Sequence, residues 1–103
     1  MTLPSQYIRY FATEGPKEGE LAVEPGWFQL WPPAELARWN HEYQVRKFAP
    51  GFLGFGSSGG GEMLAFDAED RVVMIPFIGM AVEEARPVAD SWNDFVAKMK
   101  HRC

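Results

Sequence analysis

The run Gly51-Phe-Leu-Gly-Phe-Gly-Ser-Ser-Gly-Gly-Gly-Glu-Met-Leu-Ala-Phe-Asp67 carries six glycines in its first eleven positions and then begins to alternate. Glycine brings no side chain to pack and loses more backbone entropy on ordering than any other residue. A cluster of glycines therefore marks places where the chain needs a positive φ or a close backbone approach. From Glu62 onward the pattern has a period of two, which sets Met63 and Ala65 on one face and Leu64 and Phe66 on the other. A loop shaped by its backbone thus feeds directly into a core strand.

Working outward from this stretch, Glu62–Asp67 and Arg71–Pro76 read as two strands joined through Ala68-Glu69-Asp70. Phe77–Val88 is mixed and is expected to be an irregular connection with at most one short strand. A closing helix follows, with Ser91 as its N-cap and Asp94 three residues on, an approximate capping box. Trp92, Phe95, Val96 and Met99 then recur at helical spacing as an apolar stripe, with Lys98, Lys100 and Arg102 near the end. Upstream of the glycines, Pro32-Pro33 starts a helix whose Leu36, Trp39 and Tyr43 share a face, and which decays around Phe48 to Pro50. Before it, Glu20–Val23 and Trp27–Trp31 flank the turn signal Pro25-Gly26 and are expected to form an antiparallel hairpin. A first helix opens at Leu3-Pro4-Ser5 with a stripe of Leu3, Tyr7 and Phe11, Ile8 beside it, and stops near Gly15-Pro16. Helix, hairpin, helix, meander, helix is an α+β order. It predicts an antiparallel sheet of about four to six strands packed by an N-terminal, a middle and a C-terminal helix, in one domain over residues 1–103.

Length and composition agree with that reading. A chain of 103 residues, 47% hydrophobic and 15% aromatic, supplies one core and is too apolar for a disordered segment. The net charge of −4 disfavours nucleic acid, whose phosphates need a basic face, and suits a basic protein partner. Cys103 is the only cysteine, so no intrachain disulfide can form and a reducing cytoplasm is expected. No basic-then-apolar leader opens the sequence, and the longest apolar run, Val72–Val82, is broken by Pro76 and Gly79, so no membrane partner is expected.

Four constellations could carry chemistry, and each lacks a necessary part. Gly56-Ser57-Ser58-Gly59-Gly60 matches the G-x-S-x-G elbow in letters, but that elbow needs a strand-to-helix turn, and here a strand follows. The only downstream histidine, His101, is close to the end of the sequence. A phosphate-cradling loop would want Lys then Ser or Thr after its last glycine, whereas Gly61 is followed by Glu62. Gly54, Gly56 and Gly59 fit G-x-G-x-x-G without the βαβ unit that presents a pyrophosphate. His41, His101 and Cys103 do not make the paired ligand spacing of a closed zinc site. The carboxylates Glu69-Asp70 and Glu83-Glu84 read as a solvated acidic rim. No catalytic residue, metal or cofactor is expected. Among Trp27, Phe28, Trp31, Trp39, Phe48, Phe52 and Phe55, more aromatics than one small core can bury, one or two are expected exposed around the glycine loop as a contact patch.

Three stretches, with a fourth at the closing helix, resemble the SUKH superfamily, the domain of the yeast Smi/Knr cell-wall regulators and many bacterial relatives. Leu3-Pro4-Ser-Gln-Tyr7-Ile-Arg-Tyr-Phe11 is similar to its first helix, and Leu30-Trp31-Pro-Pro-Ala-Glu35-Leu36 through Asn40 to its strand-to-helix segment. Phe55 to Asp67 resembles its glycine-rich signature and following strand, and Ala89-Asp90-Ser91-Trp92-Asn-Asp-Phe95 the start of its closing helix. The resemblance implies a non-enzymatic protein-binding domain. Bacterial members commonly serve as immunity proteins that neutralise the toxin of a polymorphic toxin system, and the yeast members act as interaction scaffolds. On that basis the expected partner surface is Gly56, Ser57, Ser58, Gly59, Gly60, Gly61 and Glu62 at its edge, with Glu69, Asp70, Glu83 and Glu84 at an acidic rim. A regulatory scaffold without a toxin partner is the alternative.

Overall fold

A computed structural model describes residues 4–13 and 15–100. Six strands form one antiparallel sheet in which spatial order equals chain order: β1 (Glu18–Glu20), β2 (Trp27–Leu30), β3 (Leu53–Ser57), β4 (Glu62–Phe66), β5 (Val72–Pro76) and β6 (Arg86–Ala89). Helix α1 (Ser5–Thr13) and helix α4 (Trp92–Ala97) lie on one face. Helix α3 (Val45–Phe48) and the 77–85 connection serve the other, and a short 3-10 turn at Pro33–Glu35 leads into α2 (Leu36–Glu42), whose Leu36 joins the first core. The architecture is α+β, with helices at the beginning, middle and end.

The period of two in β4 explains the layering. Leu64 and Phe66 enter one core with Tyr7, Tyr10, Phe28, Phe55, Trp92 and Phe95, while Met63 and Ala65 enter a second with Val45, Ala49, Val73, Ile75 and Met80. A strand apolar on both faces needs cover on both, and the helices supply it. Tyr7 is the keystone of the first core. Its ring meets Trp92 edge-on at 4.9 Å and Phe55 at 5.4 Å. Its hydroxyl donates to the Trp31 carbonyl at 2.6 Å, with the Phe55 carbonyl 3.1 Å away.

Burial raises the Tyr7 phenol well above its usual range. A raised acid in the folded state protects stability only below the unfolded value, here 10.0. Above that pH the unfolded chain gives up a proton that the folded chain keeps, so stability falls by about 1.4 kcal/mol per pH unit from this group. We expect Tyr7→Phe to lose about 1–2 kcal/mol near neutrality by stranding a buried carbonyl. The same variant should lack this share of the alkaline decline. Urea denaturation of both proteins from about pH 9 to about pH 11.5 checks it, and parallel pH profiles would refute it.

Several sequence expectations need correction in detail. The glycine stretch is not all loop: Leu53–Ser57 is a strand, and only residues 58–61 turn the hairpin. Strand propensity disfavours glycine, but here the missing side chains let strands approach. A Cβ on Gly56 would collide with the Gln29 carbonyl of β2, and one on Gly54 would press on Met63 Sδ and the Trp31 ring. The first strand lies at Glu18–Glu20 rather than Glu20–Val23. Its register is set by Glu20 opposite Trp27, which leaves Leu21 to bridge Met99. The buried stripe of α1 is Tyr7 and Tyr10, with Phe11 half-buried and Ile8 47% exposed. Leu3 falls outside the described residues. The middle helix is broken at Gln44, whose φ of 54° is left-handed, so Tyr43 ends one piece and Val45 starts the next.

The closing helix matches the expectation most closely. Ser91 Oγ accepts from the Asp94 amide at 3.1 Å, and Asp94 Oδ2 accepts from the Asp90 amide at 2.9 Å and from Lys98 Nζ at 2.7 Å. Chiefly the Lys98 bond holds the Asp94 carboxyl below the usual range. Beyond the helix, Lys98–Lys100 run along the outer edge of β1. The Ala22 amide donates to the Lys98 carbonyl at 2.7 Å, and the Lys100 amide to the Glu20 carbonyl at 2.9 Å. That closes one sheet edge, and exposed Arg86 and Pro87 blunt the other.

Candidate interaction surface

The turn at the tip of the β3–β4 hairpin is held together by Ser58. Its Oγ accepts from the Gly60 and Glu62 amides at 3.2 and 3.3 Å and donates to Glu62 Oε1 at 3.3 Å. Ser57 Oγ accepts from the Gly59 amide at 3.2 Å and lies 3.3 Å from Gln29 Oε1 on β2. The Ser58 hydroxyl is committed to shaping the loop, and the chain continues into a strand, so the elbow pattern is a turn device here. Gly59 needs its positive φ of 80° and abuts Trp27. At Gly60 and Gly61 an added Cβ would meet only Ser58 Oγ at 3.7 Å, or nothing. Packing does not require glycine at these two positions.

The antiparallel register decides which predicted residues meet. Glu62 pairs with Pro76, and the Phe77 amide donates to the Gly61 carbonyl at 2.9 Å, so the 77–85 connection starts beside the hairpin tip. Glu83 and Glu84 occupy a single 3-10 turn on that connection, exposed, and share the glycine end of the sheet with Gly56–Glu62. Glu69 and Asp70 belong to the β4–β5 turn at the opposite end, the length of a five-residue strand away, roughly 17 Å. There Asp67 Oδ1 accepts from the amides of Glu69 and Arg71, and the Arg71 guanidinium pairs with Asp67 at 2.8 Å and Glu69 at 2.9 Å. Burial pushes the Asp67 carboxyl up, but these bonds together outweigh it and hold it below the usual range. Asp70 takes the left-handed φ of 62° that the tight turn demands.

At the glycine end, four rings make a continuous stack. Tyr43 lies 4.5 Å from Phe77 and 6.0 Å from Trp31, and Trp39 lies 5.8 Å from Trp31. Trp39 is fixed by its indole N–H on Glu35 at 3.2 Å and by Arg38 over its ring at 4.8 Å. The rings are half-buried except Tyr43, which is more exposed. Next to Phe77, Ile78 stands 94% exposed on a turn closed by Gly79 at φ 78°, and Val82 is also exposed. Of the aromatics expected near the loop, Phe28 and Phe55 are buried, Trp27 is half-buried against Gly59, and Phe48 is exposed on α3. The sequence reading missed Tyr43, Phe77 and Ile78 as surface members. The available signal was Ile78-Gly79 itself, an apolar residue placed where a turn between strands was due.

Among the described residues no group of three or more His, Cys, Asp or Glu is arranged to hold a metal ion. His41 is exposed on α2, and His101 and Cys103 lie outside the described residues. No described helix is long and apolar enough to cross a membrane. The glycine end brings together apolar rings at its centre, carboxylates at its margin and a backbone-lined hairpin tip. A search of curated proteins finds no match to the chain. The model of the SMI1/KNR4 family (SUKH-1) matches residues 1–98, nearly the full length, and the chain belongs to that family.

Proposed function

We propose that this chain, as one SUKH-type domain over residues 1–103, is a non-enzymatic immunity protein that neutralises a cognate toxin of a bacterial polymorphic toxin system in the cytoplasm. Family membership supports protein binding, and the glycine end of the sheet supports the location. The observation that carries the surface assignment is Ile78, an isoleucine 94% exposed and next in sequence to Phe77 of the four-ring stack. The contact would be built from the 57–62 hairpin tip, Tyr43, Phe77 and Ile78, with Glu83 and Glu84 at the rim, while Gly56, buried in β3 between β2 and β4, would stay outside it. Glu69 and Asp70, engaged with Arg71 or fixed in the turn at the other end, would stay outside it.

The mechanism is occlusion. A preformed surface of about 800 Å² covers the toxin's working site, the apolar centre drives association, and the acidic rim steers a basic partner. Protection of cells that co-express the toxin encoded beside the gene tests the reading, and unprotected cells would end it. Recovery of the tagged chain in a stoichiometric complex with no toxin would favour the scaffold alternative instead. Ile78→Asp probes the surface itself. Stability should change by no more than about 0.5 kcal/mol, because the side chain packs on little. Toxin binding should weaken at least about tenfold, as for an interface anchor. Unchanged affinity would move the contact elsewhere.

A further inference from the structure

The face of β1 and β2 opposite the aromatic core carries a second feature that the surface above does not use. Glu20 lies directly across from Trp27, and Glu18 from Gln29, so these four side chains share one face, while Phe28 and Leu30 point into the core. Among the described residues no helix covers this part of the sheet: Glu18, Glu20 and Gln29 are exposed and Trp27 is half-exposed. A groove of about 710 Å³ lies at β1, lined by Glu18, Glu20, Trp27 and Lys100 and also by Gly19 and Phe28 of the opposite face, so it reaches around the strand.

Trp27 is unlike the other three tryptophans. Trp31 and Trp39 stack with one another and with Tyr43, Trp92 sits among five rings, and Arg38 covers Trp39. The Trp27 ring meets no aromatic ring and no cation, and its indole N–H has no acceptor, among the described residues. Glu18 likewise has no ion-pair partner among them. Glu20 faces Lys100 Nζ at a long 3.8 Å, which leaves the groove with one more carboxylate than ammonium.

We propose that this groove takes an arginine side chain of a protein partner, its guanidinium laid on the Trp27 ring and hydrogen-bonded to the Glu18 and Glu20 carboxylates. A planar, weakly hydrated cation suits an indole face, and its fork of donors suits a carboxylate. The charge of the chain, −4, adds a field of the right sign. The inference rests on the protein-binding reading above and gives that partner a chemical signature: an exposed arginine on a basic segment.

The test follows the indole N–H signal of Trp27 by nitrogen–proton NMR in the intact chain, assigned by its loss in Trp27→Phe. The probe is a capped Gly-Arg-Gly-Arg-Gly peptide at low ionic strength, with Gly-Glu-Gly-Glu-Gly as control. We expect the Trp27 signal to move saturably with the arginine peptide and stay still with the glutamate peptide. In E18Q/E20Q, which alters only exposed side chains, half-saturation should need roughly two- to fivefold more arginine peptide. A still signal, an equal response to the glutamate peptide, or an unchanged titration in E18Q/E20Q overturns the site. A chain that protects against its toxin yet fails this titration loses the groove and keeps the function. One that passes it and protects against no toxin does the reverse.

Discussion

Replacing Trp92 by alanine should cost about 3–5 kcal/mol of folding stability. Trp92 is the first residue of α4, 4% exposed, and its ring packs against Tyr7, Tyr10, Phe55, Phe66 and Phe95 at centroid distances from 4.9 to 6.2 Å. Those partners come from α1, β3, β4 and α4, so the side chain ties both covering helices to the centre of the sheet. Truncation removes its transfer free energy and leaves a cavity that five rigid rings cannot collapse to fill. Aromatic pairs add roughly 0.5–1.5 kcal/mol each beyond area, which places the loss in the upper part of the range. The damage should also spread, because α4 delivers Lys98–Lys100 to the β1 edge. Equilibrium urea denaturation checks the value, and a loss under about 1 kcal/mol would show that Trp92 is not the anchor. Against a typical stability of 5–15 kcal/mol, the variant should still fold, with a much lower midpoint.

The same residues show what the sequence could and could not reveal. Trp92, Phe95 and the Ser91 cap were legible because a helix end announces itself locally, through a hydroxyl at the cap and apolar residues one turn apart. The alternation of Glu62–Phe66 was legible for the same reason, and it gave the two-faced sheet correctly. Leu53–Ser57 was hidden because its strand character is not local. Two of its five residues are glycines, and they are strand residues only because β2 passes so close. Tyr10 in place of Ile8 on the buried face of α1 depended on where Trp92 would sit, 5.3 Å from the Tyr10 ring, and no helical period specifies that. The candidate surface was half legible. The glycine tip could be named from composition, and Glu83-Glu84 from charge. That the glycine tip and the 77–85 connection start at one end while Glu69-Asp70 lie at the other follows from the β4–β5 hairpin, whose two strands the alternation already marked, with Glu62 opposite Pro76.

Gly56→Ala should be the most damaging single-methyl change in the glycine stretch, costing about 3 kcal/mol, the upper end for overpacking. Gly56 is buried, pairs with Leu30, and lies where the β3–β4 register shifts. Its φ is not in the left-handed region, so the penalty comes from space and not from backbone preference. A new Cβ there would strike the Gln29 carbonyl oxygen and stand 3.3 Å from the Leu30 Cα, both main-chain atoms of the neighbouring strand. Backbone cannot rotate away, so β2 would have to lift from β3, carrying Phe28 and Leu30 out of the core. Gly54→Ala meets Met63 Sδ at 2.6 Å, the far end of a flexible side chain that can swing, and should cost less, about 1–2 kcal/mol. Gly61→Ala meets nothing within 4 Å and should change stability by less than about 0.5 kcal/mol. The order Gly56, Gly54, Gly61 in urea midpoints is the expected result, and a Gly56→Ala variant as stable as Gly61→Ala would mean that the two strands do not approach as described. The series also separates two uses of glycine within one motif. A Gly61→Ala chain that folds normally but binds its partner less well would place the role of that glycine at the contact, where a methyl group stands between two surfaces.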